Sequence, residues 1–377
     1  MRGFILQEDT TEGQTLDTFE TGYVGRDAAV ITSEVASVTT NGYVELSVFG
    51  TLHAINEPSV LHTGASLDLT IARDGIVSAS ADVFAISAVP SIGAYIVNDG
   101  QIYAEYGAVG VYCEGLGAEI NISNSGIIHS NSSAAIKIDG GTKASLVYNT
   151  GELRGKYGVE AVGATNFINH GEMLGTLYGY ISRENATADE IYNYGIITGG
   201  VYTGDGEDRI TNRDYIDYVD MGLGDDKYVS GRNGYIETSV KGGEGDDVII
   251  GGDDDDRFYG QADDDQLKGR KGDDVLKGAA GNDYIAGNRG DDTLSGGGDD
   301  DEFVFAAKGG SDVIEDFGDN DVINLTRLGL TNYATDIVVN MRDTSSGTFI
   351  DLEEDHGLTI LLEGVLSATV VATDFVL

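Results

Sequence analysis

From Gly242 to Val304 the chain repeats every nine residues, and few folds accommodate such a repeat. Seven blocks follow one another: GGEGDDVII, GGDDDDRFY, GQADDDQLK, GRKGDDVLK, GAAGNDYIA, GNRGDDTLS and GGGDDDEFV. Position one is always Gly. Position six is always Asp: Asp247, Asp256, Asp265, Asp274, Asp283, Asp292 and Asp301. Position eight is always large and apolar: Ile249, Phe258, Leu267, Leu276, Ile285, Leu294 and Phe303. A fixed period of this kind marks a stacked architecture, in which each unit buries its apolar side only against its neighbours. The competing reading is an acidic, Gly-rich disordered tail. It gives no reason for a large apolar side chain at every ninth position.

A looser repeat lies upstream. Its unit is apolar-x-Asn-x-Gly-x-apolar, with Asn98, Asn124, Asn149, Asn169 and Asn193 spaced 26, 25, 20 and 24 residues apart. Short β-rich segments of this length with Asn and Gly at the corners fit a right-handed β-solenoid. Stacked Asn side chains can hydrogen-bond from coil to coil. A β-sandwich is the alternative, whereas recurring β-branched pairs and Gly exclude helix here. The two repeats merge: TGDGEDRI and MGLGDDKY, containing Asp208 and Asp226, already follow x-Gly-x-Gly-x-Asp-x-apolar. The expected fold is all-β, one continuous parallel solenoid.

The nonapeptide suits a hard cation. Gly-x-Gly-x-Asp permits a tight turn that aims backbone carbonyls inward, and the Asp adds an anionic oxygen. Two nonapeptides make one turn of 18 residues, so successive turns would enclose a cage. Calcium, which takes six to eight oxygen ligands, fits that donor set.

These blocks resemble GGxGxDxUx, the calcium-binding nonapeptide of the RTX (repeats-in-toxin) family. The resemblance implies a parallel β-roll with calcium between successive turns. Its implied ligands are Asp247, Asp256, Asp265, Asp274, Asp283, Asp292 and Asp301, with Asp226 and Asp208 upstream and the turn glycines Gly243, Gly245, Gly272, Gly281 and Gly290. Turns beginning at 242, 260, 278 and 296 form one edge and those at 251, 269 and 287 the other, giving five cages. Position four is Asp254, Asp263 or Asp299 in three blocks, where a left-handed backbone carries a cost. Position two is Gln261, Arg270, Ala279 or Asn288 in four, a departure expected to matter less. The segment after Gly310, with Asp312, Ile314, Asp316, Asp321 and Ile323, resembles the cap that closes RTX rolls. The ending Asp374-Phe375-Val376-Leu377 resembles the family's uncleaved type I secretion signal. Met1–Leu6 is far too short an apolar start for a cleaved leader, so the expectation is export through that C-terminus. The resulting division is an N-terminal cap (1–30), a β-helix (31–200), a calcium roll (201–304, regular from 242) and a C-terminal cap with secretion region (305–377).

Charge narrows the partners. Sixty-four Asp and Glu oppose 22 Lys and Arg, a net charge of −42, which repels nucleic acid and anionic membrane. No window is apolar enough to span a bilayer. Right-handed β-helices joined to RTX modules resemble alginate epimerases, yet the Asp-Pro-His run of those enzymes is absent: the only prolines are Pro58 and Pro90. Residues 1–200 hold eight Lys and Arg, few for neutralising a uronate. His53, His62, His129, His170 and His356 lack metal-type spacing, and Cys113 reads as a small buried hydrophobe. Tyr clustering between residues 95 and 235 reads as ladder stacking, with an aromatic sugar platform as the other reading. The sequence therefore points to a non-enzymatic, secreted, calcium-binding protein of structural or adhesive role. Self-association or a polysaccharide is the expected partner, and a polysaccharide-modifying enzyme is the alternative.

Overall fold

The computed structural model describes residues 5–17, 20–33, 35–80, 84–105, 109–115, 118–140, 143–183 and 187–377. Met1–Phe4, part of the segment read for a leader, lie outside them. The chain divides into two compact units, residues 1–205 with 215–217, and residues 206–214 with 218–377.

The first unit is a parallel β-solenoid. One face stacks Glu20–Val24, Tyr43–Val48, Ser66–Ile71, Gly93–Asn98, Glu119–Asn124, Ser145–Asn149, Thr165–Asn169 and Glu190–Asn193, all parallel and in register. A second face stacks Ala29–Thr32, Thr51–Ala54, Ile76–Ala79, Gln101–Ala104 and Ile127–Ser130, then the start of Glu152–Val162. A third strip, from Val38–Thr40 through Val60–His62, Ile86–Ala88 and Val111–Gly115 to Ala134–Gly140, completes each coil. The segment expected as an N-terminal cap enters these ladders itself, since Ile5–Leu6 pairs with Tyr23 and Val24.

Alternation decides what is inside. Successive strand residues point to opposite faces, so register brings Leu46, Leu69, Ile96, Ile122, Val147, Phe167 and Ile191 into one fully buried column. Cys113 is buried among such residues, as expected, and burial pushes its thiol up to about 12. The corner Asn residues form the expected ladder. Asn98 Nδ2 donates to Asn124 Oδ1 at 2.7 Å, and Asn124 to Asn149, Asn149 to Asn169 and Asn169 to Asn193 follow at 2.8, 2.8 and 2.9 Å.

The second unit repeats the principle with shorter coils. Lys227–Ser230, Val248–Ile250, Gln266–Lys271, Tyr284–Arg289, Glu302–Val304 and Val322–Asn324 stack on one side. Val219–Leu223, Val240–Glu244, Arg257–Ala262, Val275–Ala280, Thr293–Gly298 and Gly310–Ile314 stack on the other. Every position-eight residue is fully buried between them. Beyond this stack, Leu358–Glu363 pairs parallel with Gly310–Ile314 and antiparallel with Gly347–Asp351. Short helical turns such as Glu353–His356 occur only in this closing region among the described residues. Phe375–Val376 pairs with Ile323 and Asn324, so the terminal apolar residues are part of the fold.

Replacing Asn149 with Ala removes a rung from the middle of the Asn ladder. The expected cost is about 1–3 kcal/mol, read as a lower denaturant midpoint for the full chain. An unchanged midpoint would show that the ladder contributes nothing.

Candidate metal centre

The turns of the second unit are built from a paired backbone requirement. Positions two and four both take positive φ: Gly243 and Gly245, Gln261 and Asp263, Arg270 and Gly272, Ala279 and Gly281, Asn288 and Gly290, Gly297 and Asp299. Position two is thus as demanding as position four, contrary to the lesser weight expected for it. Four side-chain-bearing residues accept the left-handed conformation there, with φ between 77° and 98°. Strain of this sort persists only where the surroundings fix it. Gly243, Gly245, Gly272, Gly281 and Gly290 each stack against a backbone carbonyl of the preceding turn, leaving no room for a side chain.

Position six forms a ladder along each edge. On the first edge the backbone N–H of Asp208 donates to Oδ1 of Asp226, and the chain of donors continues through Asp247, Asp265, Asp283 and Asp301 to Asp321, at 2.7–3.1 Å. On the second edge Asp256, Asp274 and Asp292 donate in turn, ending on Asp312, at 2.8–3.0 Å. All of these carboxylates are at most 4% exposed. The grouping of turns into two edges agrees with the 18-residue reading, and the ladders run past the nonapeptides at both ends.

Sequence reasoning misses Asp312 and Asp321 as members. Each sits 20 residues after its predecessor instead of 18, and Asp321 lacks the Gly-x-Gly approach. The available signal is the apolar residue two positions on, Ile314 and Ile323. A second ladder, of position-five residues, also escapes it. Asp246 accepts from the N–H of Asp264, Asp264 from Asn282 and Asn282 from Asp300. On the other edge Asp255 accepts from Asp273, Asp273 from Asp291 and Asp291 from Ser311. This outer row is exposed and runs in the opposite sense.

One oxygen of the inner ladder remains. Oδ2 of Asp226, Asp247, Asp265, Asp274, Asp283, Asp292 and Asp301 is buried and accepts no hydrogen bond. From Asp247 onward each lies against the position-one glycine of its own turn, where any Cβ would overlap it. That contact explains the invariant Gly. The Gly260 carbonyl, one turn on, points to the same spot beside Gly242 as Asp247 Oδ2 does. Convergent carboxylate and carbonyl oxygens in a buried recess call for a hard cation. Among the described residues no three Asp, Glu, His or Cys side chains could hold a metal by themselves; backbone carbonyls must share the coordination. The donor set fits calcium, whose charge would offset that of the stacked carboxylates.

Electrostatics lead to the same conclusion. Burial, reinforced by neighbouring carboxylates, raises Asp226 and Asp265 to about 8, Asp274 to about 9, and Asp247 and Asp301 to about 7. Burial lifts Asp283 and Asp292 to about 6 and Asp312 to about 8. Without metal the folded state therefore holds protons that the unfolded chain releases near pH 4, so its stability falls as pH rises through roughly 6 to 9. In excess chelator, circular dichroism is expected to show the array gaining β-structure as pH is lowered from 9 towards 5. Loss of order on acidification would contradict the burial of these groups.

Residues 239–267 and 268–303 match the RTX calcium-binding nonapeptide repeat, in four copies. Comparison with curated proteins finds no match. Among solved structures, the solution structure of the AlgE6R3 subunit from the Azotobacter vinelandii mannuronan C5-epimerase is similar over 34% of this chain and 81% of that one. The identity is 30% and the TM-score 0.28. RTX repeat proteins are typically secreted, and among the described residues no helix is long and apolar enough to cross a membrane. Residues 239–303 are an array of RTX nonapeptide repeats, and such repeats bind calcium.

Proposed function

We propose that this chain is an exported β-solenoid that calcium folds outside the cell, serving a structural or adhesive role at a cell surface or in an extracellular matrix. The observation that carries the reading is the set of buried, unpartnered Oδ2 atoms of Asp226, Asp247, Asp265, Asp274, Asp283, Asp292 and Asp301. The Gly260 carbonyl, beside Asp247 Oδ2, shows where a second ligand oxygen comes from. Calcium is scarce in the cytosol, where the strongly acidic array stays expanded and competent for export. It is abundant outside, where binding to the folded state alone drives folding. Type I secretion completes the route.

Three cations of the first unit support a structural role. Lys137 and Arg183 both pair with the nearly buried Glu160, at 3.3 and 3.0 Å, and Arg154 pairs with Glu152 at 2.8 Å. Charges committed in this way are not held ready for a polyanionic substrate. Self-association is the favoured partner mode.

A second reading, a polysaccharide-modifying enzyme, rests on one column of that unit. Register aligns His53, Ser78, Tyr103, His129 and Arg154 on adjacent rungs, with Ser78 Oγ 2.8 Å from His53 Nδ1. Turnover of alginate or pectin by the calcium-loaded protein would establish the second reading and overturn the first.

The direct test is a calcium titration followed by circular dichroism and light scattering. Folding and assembly are expected to rise together with calcium. Asp265→Ala and Asp274→Ala, one on each edge, should each raise the midpoint by removing a site worth about 2.7 kcal/mol at calcium a hundredfold above its Kd. Unchanged midpoints would show that these turns are not the binding sites.

A further inference from the structure

The turn Gly251–Asp256 departs from its neighbours. Neither Gly252 nor Asp254 takes the left-handed backbone found at positions two and four elsewhere in the array. Consequently the Gly252 N–H turns inward and donates to Asp256 Oδ2 at 3.0 Å. Asp256 Oδ2 still converges with the Gly269 carbonyl beside Gly251, as Asp247 Oδ2 does with that of Gly260 beside Gly242. Unlike its counterparts in the turns that follow on this edge, it already accepts an N–H.

The coil before this turn offers no carboxylate to continue the ladder. Val240 is paired with Phe258, which carries the position of Asp256 back to Thr238. What remains at the foot of the edge is a pair of carbonyls, Gly251 and Ser230, with Arg270 between them. Arg270 Nη1 donates to the Gly251 oxygen at 3.0 Å and to the Ser230 oxygen at 3.1 Å. Arg270 belongs to the following turn, at position two, and holds φ of 81° there. Its neighbour Lys271 reaches back as well, placing Nζ 2.6 Å from Asp253. Two basic side chains of one turn thus grip the turn before it, beside four consecutive carboxylates, Asp253–Asp256. A guanidinium is always charged and donates along fixed directions, so it can satisfy the paired carbonyls at the end of a ladder that has no carboxylate below it.

We propose that Arg270 is a built-in cation that closes the foot of the second edge, and that the turn Gly251–Asp256 begins this edge without a calcium ion of its own. The inference rests on the reading of the inner ladder as the calcium site. It makes the two edges unequal: the first begins with metal, the second with arginine.

Native mass spectrometry of the full chain at saturating calcium tests this by counting bound ions. Asp265→Asn and Asp274→Asn are each expected to lose one ion, whereas Asp256→Asn keeps the wild-type number. Loss of an ion from Asp256→Asn would overturn the proposal. Retention of the full number by both Asp265→Asn and Asp274→Asn would instead sink the ladder reading on which it rests. Hydrogen exchange at the Gly252 amide reads the arginine through the Gly251–Gly252 peptide, whose carbonyl Arg270 holds. Arg270→Gln should speed that exchange about tenfold by removing charge-assisted bonds, and Arg270→Lys, which keeps the charge, should recover most of the protection. Equal exchange in wild type and Arg270→Gln would show the guanidinium to be idle and overturn the proposal.

Discussion

Stacking identical side chains along a solenoid sets a problem of donors and acceptors, and the two units solve it with different chemistry. An Asn side chain carries both, so Asn124, Asn149 and Asn169 of the first unit each donate to the next ladder Asn and accept from the one before. An ionised Asp only accepts. Ladder members such as Asp265 and Asp283 receive one backbone N–H on Oδ1, and outside the turn Gly251–Asp256 the nonapeptides supply no second donor for Oδ2. The deficit recurs along both edges, and the burial of a carboxylate recurs with it. A cation between turns answers both. The position-one Gly, the left-handed pairs at positions two and four, and the burial of the carboxylates all follow from holding oxygen atoms around such a cation.

This difference separates what each unit needs in order to fold. The Asn ladder pairs its donors and acceptors from coil to coil, beside fully buried apolar columns. The Asp ladder leaves its balance to the medium. A sequence can tune that dependence locally, and the turn Gly251–Asp256 shows how. A change in backbone conformation brings one N–H to the open oxygen, and two basic side chains from the next turn supply positive charge.

Much of this is legible in the sequence because it is periodic. A nine-residue period with Asp and a large apolar residue two apart fixes which side chain enters the core and which faces the turn, and the structure repeats both without a slip. The Asn spacing likewise announces its ladder. What cannot be read is whatever breaks the period. Asp312 and Asp321 join the ladders across 20-residue steps, where inserted residues hide the register. The position-five ladder is masked by the general abundance of Asp, since a row of acids looks the same whether its oxygens are used or free. The demand on position two is hidden because Gln, Arg, Ala and Asn are not residues that signal a left-handed backbone together; the neighbouring coils impose it. The alignment of His53, Tyr103, His129 and Arg154 depends on coil lengths of about 25 residues that vary from turn to turn, and only the strand register reveals it.

The central claim is that calcium lies inside the turns, against the inner carboxylate oxygens, and not along the exposed outer row. Crystals of the calcium-loaded chain, measured for anomalous scattering, would locate the ions without further assumption. The account predicts peaks spaced one turn apart, each within coordinating distance of an Oδ2 such as that of Asp247, Asp265 or Asp283. Peaks confined to the position-five row, or a fully ordered array with none between its turns, would contradict it.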